Sequence, residues 1–352
     1  MIRAEVFTLR VPLRDARAGA VQTVLLRLTA ADGTVGLGES AAAPSIDGIE
    51  ADTIAGELRD HLLSPLDSEK AFPPLLRALS PPARCALDTA LHDLRARRQG
   101  IRVADLLGGP RRASVPVNAL LPRAPLPEAL AWARDAWGRG IRTFKIKSSD
   151  RDVDAALLGA LRGALGLEAL LRIDANGSWT VEEAIARIRA LAPLDLEYVE
   201  EPVKPGDLTG MARVARETGV RLAADEDARD AEAVRLIAAS GAARIIVVKL
   251  AVAGGIAGAM EILQASEAAG LGVVITSRMD TSIGIAAALH LAASAKSLAG
   301  ACGLATRDHL ADDVTANPPR VEDGKMTLPE GPGLGVCLDP EALDRLQEGG
   351  EP

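Results

Sequence analysis

Five charged residues end five successive apolar runs between residues 143 and 249. Each run has the length and side-chain composition of a buried β-strand. The first and last runs end in lysine, and a carboxylate ends each of the three runs between them. Apolar runs that all end in a charge are not what packing alone would select, so these residues are the first candidates for chemistry. In chain order they are Lys147, Asp174, Glu200, Asp225 and Lys249.

The three carboxylates predict a metal site. With no histidine or cysteine among them, Asp174, Glu200 and Asp225 form a donor set that suits a hard, oxygen-preferring cation. We expect Mg²⁺ as the cofactor, and Mn²⁺ shares this ligand preference. Two other interpretations stay open at this point. A strand-end charge taken alone is more often a surface residue or salt-bridge partner, and Asp174 could also cap the helix that follows it.

The lysines predict a base beside that metal. Side chains alternate along the run TFKIK, so Lys145 and Lys147 share one face of the strand. A lysine held beside another cation should have a lowered pKa, which makes it usable as a base. The same alternation predicts that Glu201 and Glu226, each next to a proposed ligand, point away from the site.

The spacing of the runs predicts the fold that positions these charges. Eight short β-type runs alternate with amphipathic helical stretches, and their starts lie 23 to 28 residues apart. Eight such units predict a closed (β/α)8 barrel of the TIM type, whose active site lies at the carboxyl ends of the strands. An open doubly wound sheet would need a glycine-rich phosphate loop after its first strand. The segment LLPRAPLPE stands there instead. The runs begin near Val115, Thr143, Leu171, Tyr198, Leu222, Ile245, Val273 and Ala301.

Strands followed by helices in the first part of the chain predict an α+β capping domain over residues 1–112. We expect the barrel to cover residues 113–312 and the Pro/Gly-rich segment 313–352 to pack back on the cap. Cap loops 13–20 and 38–45 should then cover the mouth of the barrel. The cap strands are expected at residues 6–11, 21–28 and 34–38, and its helices at 48–63 and 81–99.

Composition excludes several kinds of partner. The 352 residues carry a net charge of −8 with no dominant basic patch, which argues against a nucleic-acid partner. No run approaches the roughly 18 apolar residues of a membrane span. Three scattered cysteines and an amino terminus without a secretion signal favour the reducing cytoplasm. We expect a cytoplasmic enzyme with a small-molecule carboxylate substrate, and the sequence leaves a homo-oligomer open.

The strand-end motifs resemble those of the enolase superfamily, in its muconate-lactonizing-enzyme-like subgroup, over nearly the whole chain. This resemblance implies Mg²⁺-dependent removal of a proton next to a carboxylate, giving an enediolate. It implies Lys147 as the base, Lys249 as a stabilising cation or a base on the opposite face, and Lys145 as the residue that keeps Lys147 partly deprotonated. A lysine at the end of the sixth run argues against the subgroup with a His–Asp base pair. The motifs are FKIK (144–147), RIDANGSW (172–179), YVEEP (198–202), AADED (223–227) and VVKL (247–250).

Two further segments indicate the reaction. Residues 276–284 and 301–315 resemble the corresponding parts of o-succinylbenzoate synthases, which dehydrate 2-succinyl-6-hydroxy-2,4-cyclohexadiene-1-carboxylate in menaquinone biosynthesis. Gly303 and Ala305 stand where dipeptide epimerases carry two aspartates, and Arg278 replaces a residue that is usually small. The alternatives are a dipeptide epimerase or N-acylamino-acid racemase, a muconate-type cycloisomerase, and a barrel that binds metal without catalysis. The residues expected to contact substrate are Arg17, Ser40, Asn176, Ser277 and Asp280.

Overall fold

The computed structural model describes residues 2–62 and 72–348. The last residue of the helix expected at 48–63 and the last four residues of the segment 313–352 lie outside this description. No helix within the described residues is long and apolar enough to cross a membrane.

The amino-terminal part of the chain forms a three-stranded antiparallel sheet covered by helices. Helix α4 packs closely on β3, and glycines make this approach possible. A Cβ added at Gly38 would lie 1.9 Å from the carbonyl oxygen of Ala86. The strands are β1 Ile2–Pro12, β2 Ala20–Ala30 and β3 Val35–Ala41, and the helices are α1 Pro44–Asp47, α2 Ala51–His61, α3 Phe72–Ala78, α4 Pro81–Arg98 and α5 Val103–Leu106.

Seven parallel strands follow, hydrogen-bonded to one another in chain order, with helices between them. This is the predicted barrel-like fold. The short strand β4 Ser114–Pro116 precedes it. The barrel strands are β5 Asn118–Leu120, β6 Thr143–Lys147, β7 Leu170–Asp174, β8 Leu196–Glu200, β9 Leu222–Ala224, β10 Ile245–Lys249 and β11 Gly272–Thr276. The helices are α6 Leu126–Gly138, α7 Arg151–Leu165, α8 Val181–Leu191, α9 Leu208–Thr218, α10 Ala231–Ser240, α11 Leu250–Ala253, α12 Ile256–Ala268 and α13 Ser282–Ser294.

The eighth strand expected near Ala301 does not form. Single bridges from Cys302 to Val117 and from Gly303 to Thr276 join the two edges of the sheet in its place. The approach at Gly303 is close, since a Cβ there would lie 2.8 Å from the side-chain methyl of Thr276. Cys302 and Gly303 therefore close the ring without a full ladder.

The carboxyl-terminal segment contacts both parts of the molecule. Strand β12 Val321–Glu322 and strand β13 Lys325–Thr327 form a hairpin that pairs with β4, next to the barrel. Helix α14 Pro340–Leu346 follows, and beyond it the backbone N–H of Glu348 donates to the carbonyl of Thr8 in β1 at 2.9 Å.

Local capping sets where the loops after the strands end and the next helices begin. After β6, the Asp150 side chain accepts from the backbone N–H of Asp152 at the start of α7. After β7, Thr180 and Glu183 form a reciprocal capping box at the start of α8. After β8, the Asp207 side chain caps the start of α9 by accepting from the backbone N–H of Gly210. The residues that end the strands are thus left at short, defined loops.

Candidate active site

The strand ends bring the five predicted charges to one mouth of the barrel. Lys147 pairs in register with Asp174, and Asp174 pairs with Glu200, across β6, β7 and β8. Asp225 directly follows β9, and Lys249 is the last residue of β10. Three strands separate the two lysine-bearing strands, so Lys147 and Lys249 stand on opposite sides of the carboxylates.

The three carboxylates form a buried cluster that can hold a metal ion. One oxygen from each of Asp174, Glu200 and Asp225 lies within 4.8 Å of the others, and all three residues are buried. The Oε2 atom of Glu200 has no hydrogen-bond partner among the described residues. Buried carboxylates that repel one another need a cation to offset their charge. An all-oxygen donor set with an unused buried oxygen fits a hard divalent cation.

The lysines contact this cluster directly. Lys145 Nζ lies 2.6 Å from Glu200 Oε1 and 2.9 Å from Asp174 Oδ2. Lys147 Nζ lies 2.6 Å from the same Asp174 oxygen. On the far side, Lys249 forms an ion pair with Asp225. Each carboxylate of the cluster therefore has a lysine ammonium group beside it.

The pKa values of two lysines in the cluster differ from the expectation. Burial acts to lower the pKa of Lys145, but the carboxylates of Asp174 and Glu200 outweigh it and the pKa lies well above its usual value. Burial and the charge of Asp225 act in the same opposed way on Lys249, whose pKa is also raised. The predicted lowering is wrong for these two residues because the surrounding carboxylates outweigh both burial and lysine–lysine repulsion.

The pKa values of two of the carboxylates, Glu200 and Asp174, shift in opposite directions. Burial, followed by the charge of Asp174, raises the pKa of Glu200 to about 8. Burial also acts to raise the pKa of Asp174, but Lys145 and Lys147 outweigh it and hold that pKa well below its usual range. The pair thus shares two lysines, with Asp174 favoured as the charged member.

Asn176 connects Lys147 to the loop after β7. Its Oδ1 accepts from Lys147 Nζ at 3.0 Å, and its backbone N–H donates to Asp174 Oδ1 at 3.0 Å. Its Nδ2 donates to Glu226 Oε1 at 3.3 Å. Glu226 therefore faces the site, unlike the expectation, because strand alternation ends with β9 at Ala224.

Glu201 supports the cluster from behind. It is buried, and its Oε2 accepts from the backbone N–H of Asp225 at 2.6 Å. Burial raises the pKa of its carboxyl group to about 9. This contact fixes the backbone that carries one of the three cluster carboxylates.

A cavity of about 170 Å³ lies over the lysines, between barrel and cap. It is bounded on the cap side by Ala43 of the loop after β3 and by Ile46 of α1, and on the barrel side by the loop after β11 and by Gly303. Four cationic side chains line it, and within the described ranges no Asp or Glu side chain does. The cationic and cap residues are Lys145, Lys147, Lys249, Arg278, Ala43 and Ile46.

The other residues expected to contact substrate are spread more widely. Ser277 lines the cavity and shares a hydrogen bond with Thr306. Asp280 lies behind the loop, where one oxygen accepts from the backbone N–H of Arg278 at 2.9 Å. Ser40 is buried in β3. Arg17 is 68% exposed and pairs with Asp15 and Glu128, so it is not brought to the cavity.

Glu39 is a site-supporting residue that the sequence reasoning passed over. It is buried in β3 and accepts from the backbone N–H and hydroxyl of Thr281, from the N–H of Gly284 and from Thr23 Oγ1, at 2.6 to 2.9 Å. It thereby fixes the start of α13, just after the loop that lines the cavity. A charged residue inside the apolar run GLGES was the available signal.

Glu39→Ala is expected to lower the free energy of unfolding by about 3 kcal/mol, because several buried donors lose their acceptor at once. Urea unfolding of the variant and the wild type measures this. Glu5→Ala is the matched control, since the partly exposed Glu5 carboxylate pairs with Arg27 and Arg3 and accepts from no buried backbone group in the described chain, and it should cost less than about 1 kcal/mol. Equal losses in the two variants would contradict the role assigned to Glu39.

Comparison with known proteins agrees with this architecture. Residues 1–108 match the family described as "Mandelate racemase / muconate lactonizing enzyme, N-terminal domain", and residues 128–342 match "Enolase C-terminal domain-like". Chloromuconate cycloisomerase of Cupriavidus necator is 32% identical over 90% of this chain and 89% of its own. The o-succinylbenzoate synthase of Thermobifida fusca is 40% identical over 59% of this chain and 65% of its own.

A solved structure shows the same likeness over the full length. The muconate lactonizing enzyme from Pseudomonas putida superposes with a TM-score of 0.91 at 27% identity, covering 98% of this chain and 99% of that one. Hydrophobic dipeptide epimerase of Enterococcus faecalis is also similar, at 31% identity over 90% of this chain and 92% of its own. Together with both family matches, these likenesses show that the chain is an enzyme of the enolase superfamily and belongs to its muconate-lactonizing-enzyme-like subgroup.

Proposed function

We propose that this protein is a Mg²⁺-dependent enzyme that removes a proton next to a carboxylate, and that its reaction is the o-succinylbenzoate synthase dehydration. The observation that carries the proposal is the placement of Lys147 and Lys249 on opposite sides of three buried carboxylates, beneath one cavity. A carbon acid held there would meet a lysine from either face.

The difficulty of the reaction explains why such a site is needed. Removing a proton from carbon next to a carboxylate places a second negative charge on that group. Mg²⁺ bound by Asp174, Glu200 and Asp225 would supply positive charge that offsets this second charge. Lys145, which contacts Asp174 and Glu200, holds these two side chains in place.

Lys147 is the proposed base, and its neutral amine takes the ring proton next to the carboxylate. The electrons of the broken C–H bond form the enediolate. These electrons then expel the hydroxyl group at the adjacent ring carbon, and the ammonium of Lys147 returns the proton to it as water. The products are o-succinylbenzoate and water, and the new aromatic ring makes the dehydration strongly downhill. Lys249 stays protonated and stabilises the developing charge from the other face.

The cavity supports an anionic substrate over a cationic one. Its described lining carries four cations and no carboxylate, and Gly303 offers no side chain where dipeptide epimerases bind an ammonium group. An epimerase of dipeptides is therefore the weaker assignment. The 40% identity to a synthase supports the dehydration.

A muconate-type cycloisomerase is the second candidate. Its support is the cycloisomerase relative that spans 90% of this chain and the full-length structural likeness. Muconate is also a dianion, so the cationic cavity suits it as well. N-succinylamino acids, which lack a free ammonium group, stay in the test for the same reason.

One substrate panel separates these activities. The Mg²⁺-loaded protein is incubated with the cyclohexadiene substrate, cis,cis-muconate, N-succinylamino acids and dipeptides, and products are followed by NMR. We expect o-succinylbenzoate to form with the highest kcat/KM of the panel. Turnover of another member with no dehydration of the cyclohexadiene would overturn the synthase assignment.

Magnesium is expected to raise the free energy of unfolding of the wild-type protein. A ligand that binds only the folded state adds about 2.7 kcal/mol at a hundred times its Kd. Urea unfolding in Mg²⁺ and in EDTA measures the difference. Asp225→Asn removes one proposed ligand and should abolish most of this Mg²⁺-dependent stabilisation. Asp227→Asn is the control, since Asp227 accepts from the backbone N–H of Gly206 instead. Identical unfolding of the wild type in both solutions would argue against the metal site.

A further inference from the structure

We propose that Arg278 is a specificity-determining residue, which binds a second, distal carboxylate of the substrate on the cap side of the cavity. The inference rests on the proposed function for the position of the first carboxylate, at the lysines. It narrows the substrate class to dianions that carry one carboxylate at each end.

Arg278 lies where such a group would reach it. It follows β11 by two residues and lines the same cavity as Lys147 and Lys249. Its side chain is only 6% exposed. Its own backbone N–H donates to Asp280, which holds the loop in place. The guanidinium is thus a built feature of the cavity wall, not a solvated surface charge.

The hydrogen bonds of the guanidinium are incomplete. Its Nη1 donates to Asp47 Oδ2 of the cap at 2.6 Å. Its Nε is buried and finds no acceptor anywhere in the described chain. A buried donor without a partner destabilises the folded protein, and an acceptor supplied by a ligand would remove that cost. Carboxylates match the donor geometry of arginine better than that of lysine.

The wall of the same cavity carries a second unpartnered polar atom, two residues before Arg278 in the chain. Thr276, at the end of β11, also lines the cavity, and its Oγ1 is buried with no partner within residues 2–62 and 72–348. Ser277, between the two, faces Thr306 across a shared hydrogen bond. An unpaired guanidinium edge and an unpaired hydroxyl group in the wall of one cavity suit a carboxylate. They do not suit an apolar substrate end.

The hydrogen-bond donors of the cavity point the same way. The lysines serve the reacting carboxylate. Asp47 already offsets the single positive charge of Arg278 through Nη1, but the Nε edge is left without an acceptor. A substrate with a single carboxylate would leave that edge buried and unpaired, whereas a dianion satisfies both ends.

A purely structural role for Arg278 makes a different prediction. If the residue only ties cap to barrel through Asp47, its loss should affect every substrate equally, and Asp47→Asn should reproduce the effect. If Arg278 binds a distal carboxylate, its loss should affect only substrates that carry such a carboxylate. The two roles are therefore distinguished by which substrates lose activity, and not by how much stability the variant loses.

The experiment compares matched ligands. kcat/KM is measured for the cyclohexadiene substrate and for its analogue with the succinyl carboxylate as the methyl ester, with wild type, Arg278→Met and Arg278→Lys. We expect Arg278→Met to lose about 10- to 100-fold on the diacid, mainly in KM, and less than about threefold on the ester. Arg278→Lys should recover part of the loss. Arg235→Met, at an exposed surface pair with Glu232, is the matched control.

A binding measurement keeps this inference separate from the proposed function. Calorimetry with o-succinylbenzoate and its succinyl monoester on the Mg²⁺-loaded protein needs no turnover. A preference for the diacid in the wild type that Arg278→Met removes supports the distal site, even if no dehydration occurs and the proposed function fails. Equal binding of diacid and monoester, or equal losses on both in Arg278→Met and Asp47→Asn, overturns the distal site even if the synthase activity is present.

Discussion

Lys147→Ala is expected to lower kcat by at least about a thousandfold, within the range that removal of a general base produces. The reason is positional. Lys147 is the lysine held by both Asp174 and Asn176, at the edge of the cavity where the reacting carbon would lie. Steady-state kinetics with saturating Mg²⁺ measures the loss, and metal binding should survive because the three carboxylates remain.

Lys204→Ala provides the control for Lys147→Ala. Lys204 is exposed on the loop after β8, so its removal changes the charge of the protein by the same amount without touching the cavity. It should keep activity within about twofold of the wild type, as expected of a surface substitution. Near-normal kcat in Lys147→Ala would remove Lys147 from the role of base.

Lys249→Ala is expected to lower kcat by about a hundred- to a thousandfold, with a smaller change in KM. Removing one preorganised charge that stabilises a developing anion has an effect of this size. Lys296→Ala is a matched control, because Lys296 also pairs with a carboxylate, Glu267, but on the surface. Its activity should be unchanged.

The same variant discriminates between reaction types. In a dehydration with a single base, Lys249→Ala should slow turnover while Lys147 still removes the substrate proton. In a racemase with two bases, the variant should lose proton exchange with one enantiomer and keep it with the other. Exchange lost with one enantiomer only, measured on N-succinylamino acids in deuterated water, would move the assignment from synthase to racemase.

The sequence predicted the barrel and the cluster because both follow from regular patterns. A repeat of 23 to 28 residues sets the order of the strands, and parallel strands in chain order bring their terminal charges to one edge. Asp174, Glu200 and Asp225 could therefore be placed together without coordinates. The motifs that resemble the enolase superfamily include the same three residues.

The remaining differences come from contacts that no local pattern encodes. In place of an eighth strand, single bridges from Cys302 and Gly303 join the two edges of the sheet, and each bridge depends on a partner far from it along the chain. The pKa shifts of Lys145 and Lys249 depend on how many carboxylates surround each ammonium, not on the neighbouring lysine alone. Likewise, Arg17 lies on an exposed turn outside any strand. The alternation of side chains along strands therefore could not predict where it points.

The pairing of cap and barrel was hidden from the sequence for a related reason. Glu39 reaches Thr281, and Asp47 reaches Arg278, across more than two hundred positions in each case. Each pair shows only as an isolated charge in an unremarkable segment. These contacts define how the cap meets the loop after β11, and therefore the side of the cavity on which we propose that substrate is selected.

The most direct test of the central claim follows the proton next to the substrate carboxylate in deuterated water. The wild-type protein is mixed with the cyclohexadiene substrate, muconolactone and N-succinylamino acids, once with Mg²⁺ and once with EDTA, and that proton is monitored by NMR. We predict that the protein removes it from the cyclohexadiene substrate only with Mg²⁺, and that Lys147→Ala does not remove it in either solution. Removal at the same rate in EDTA, or by Lys147→Ala, would contradict metal-assisted proton abstraction by this lysine.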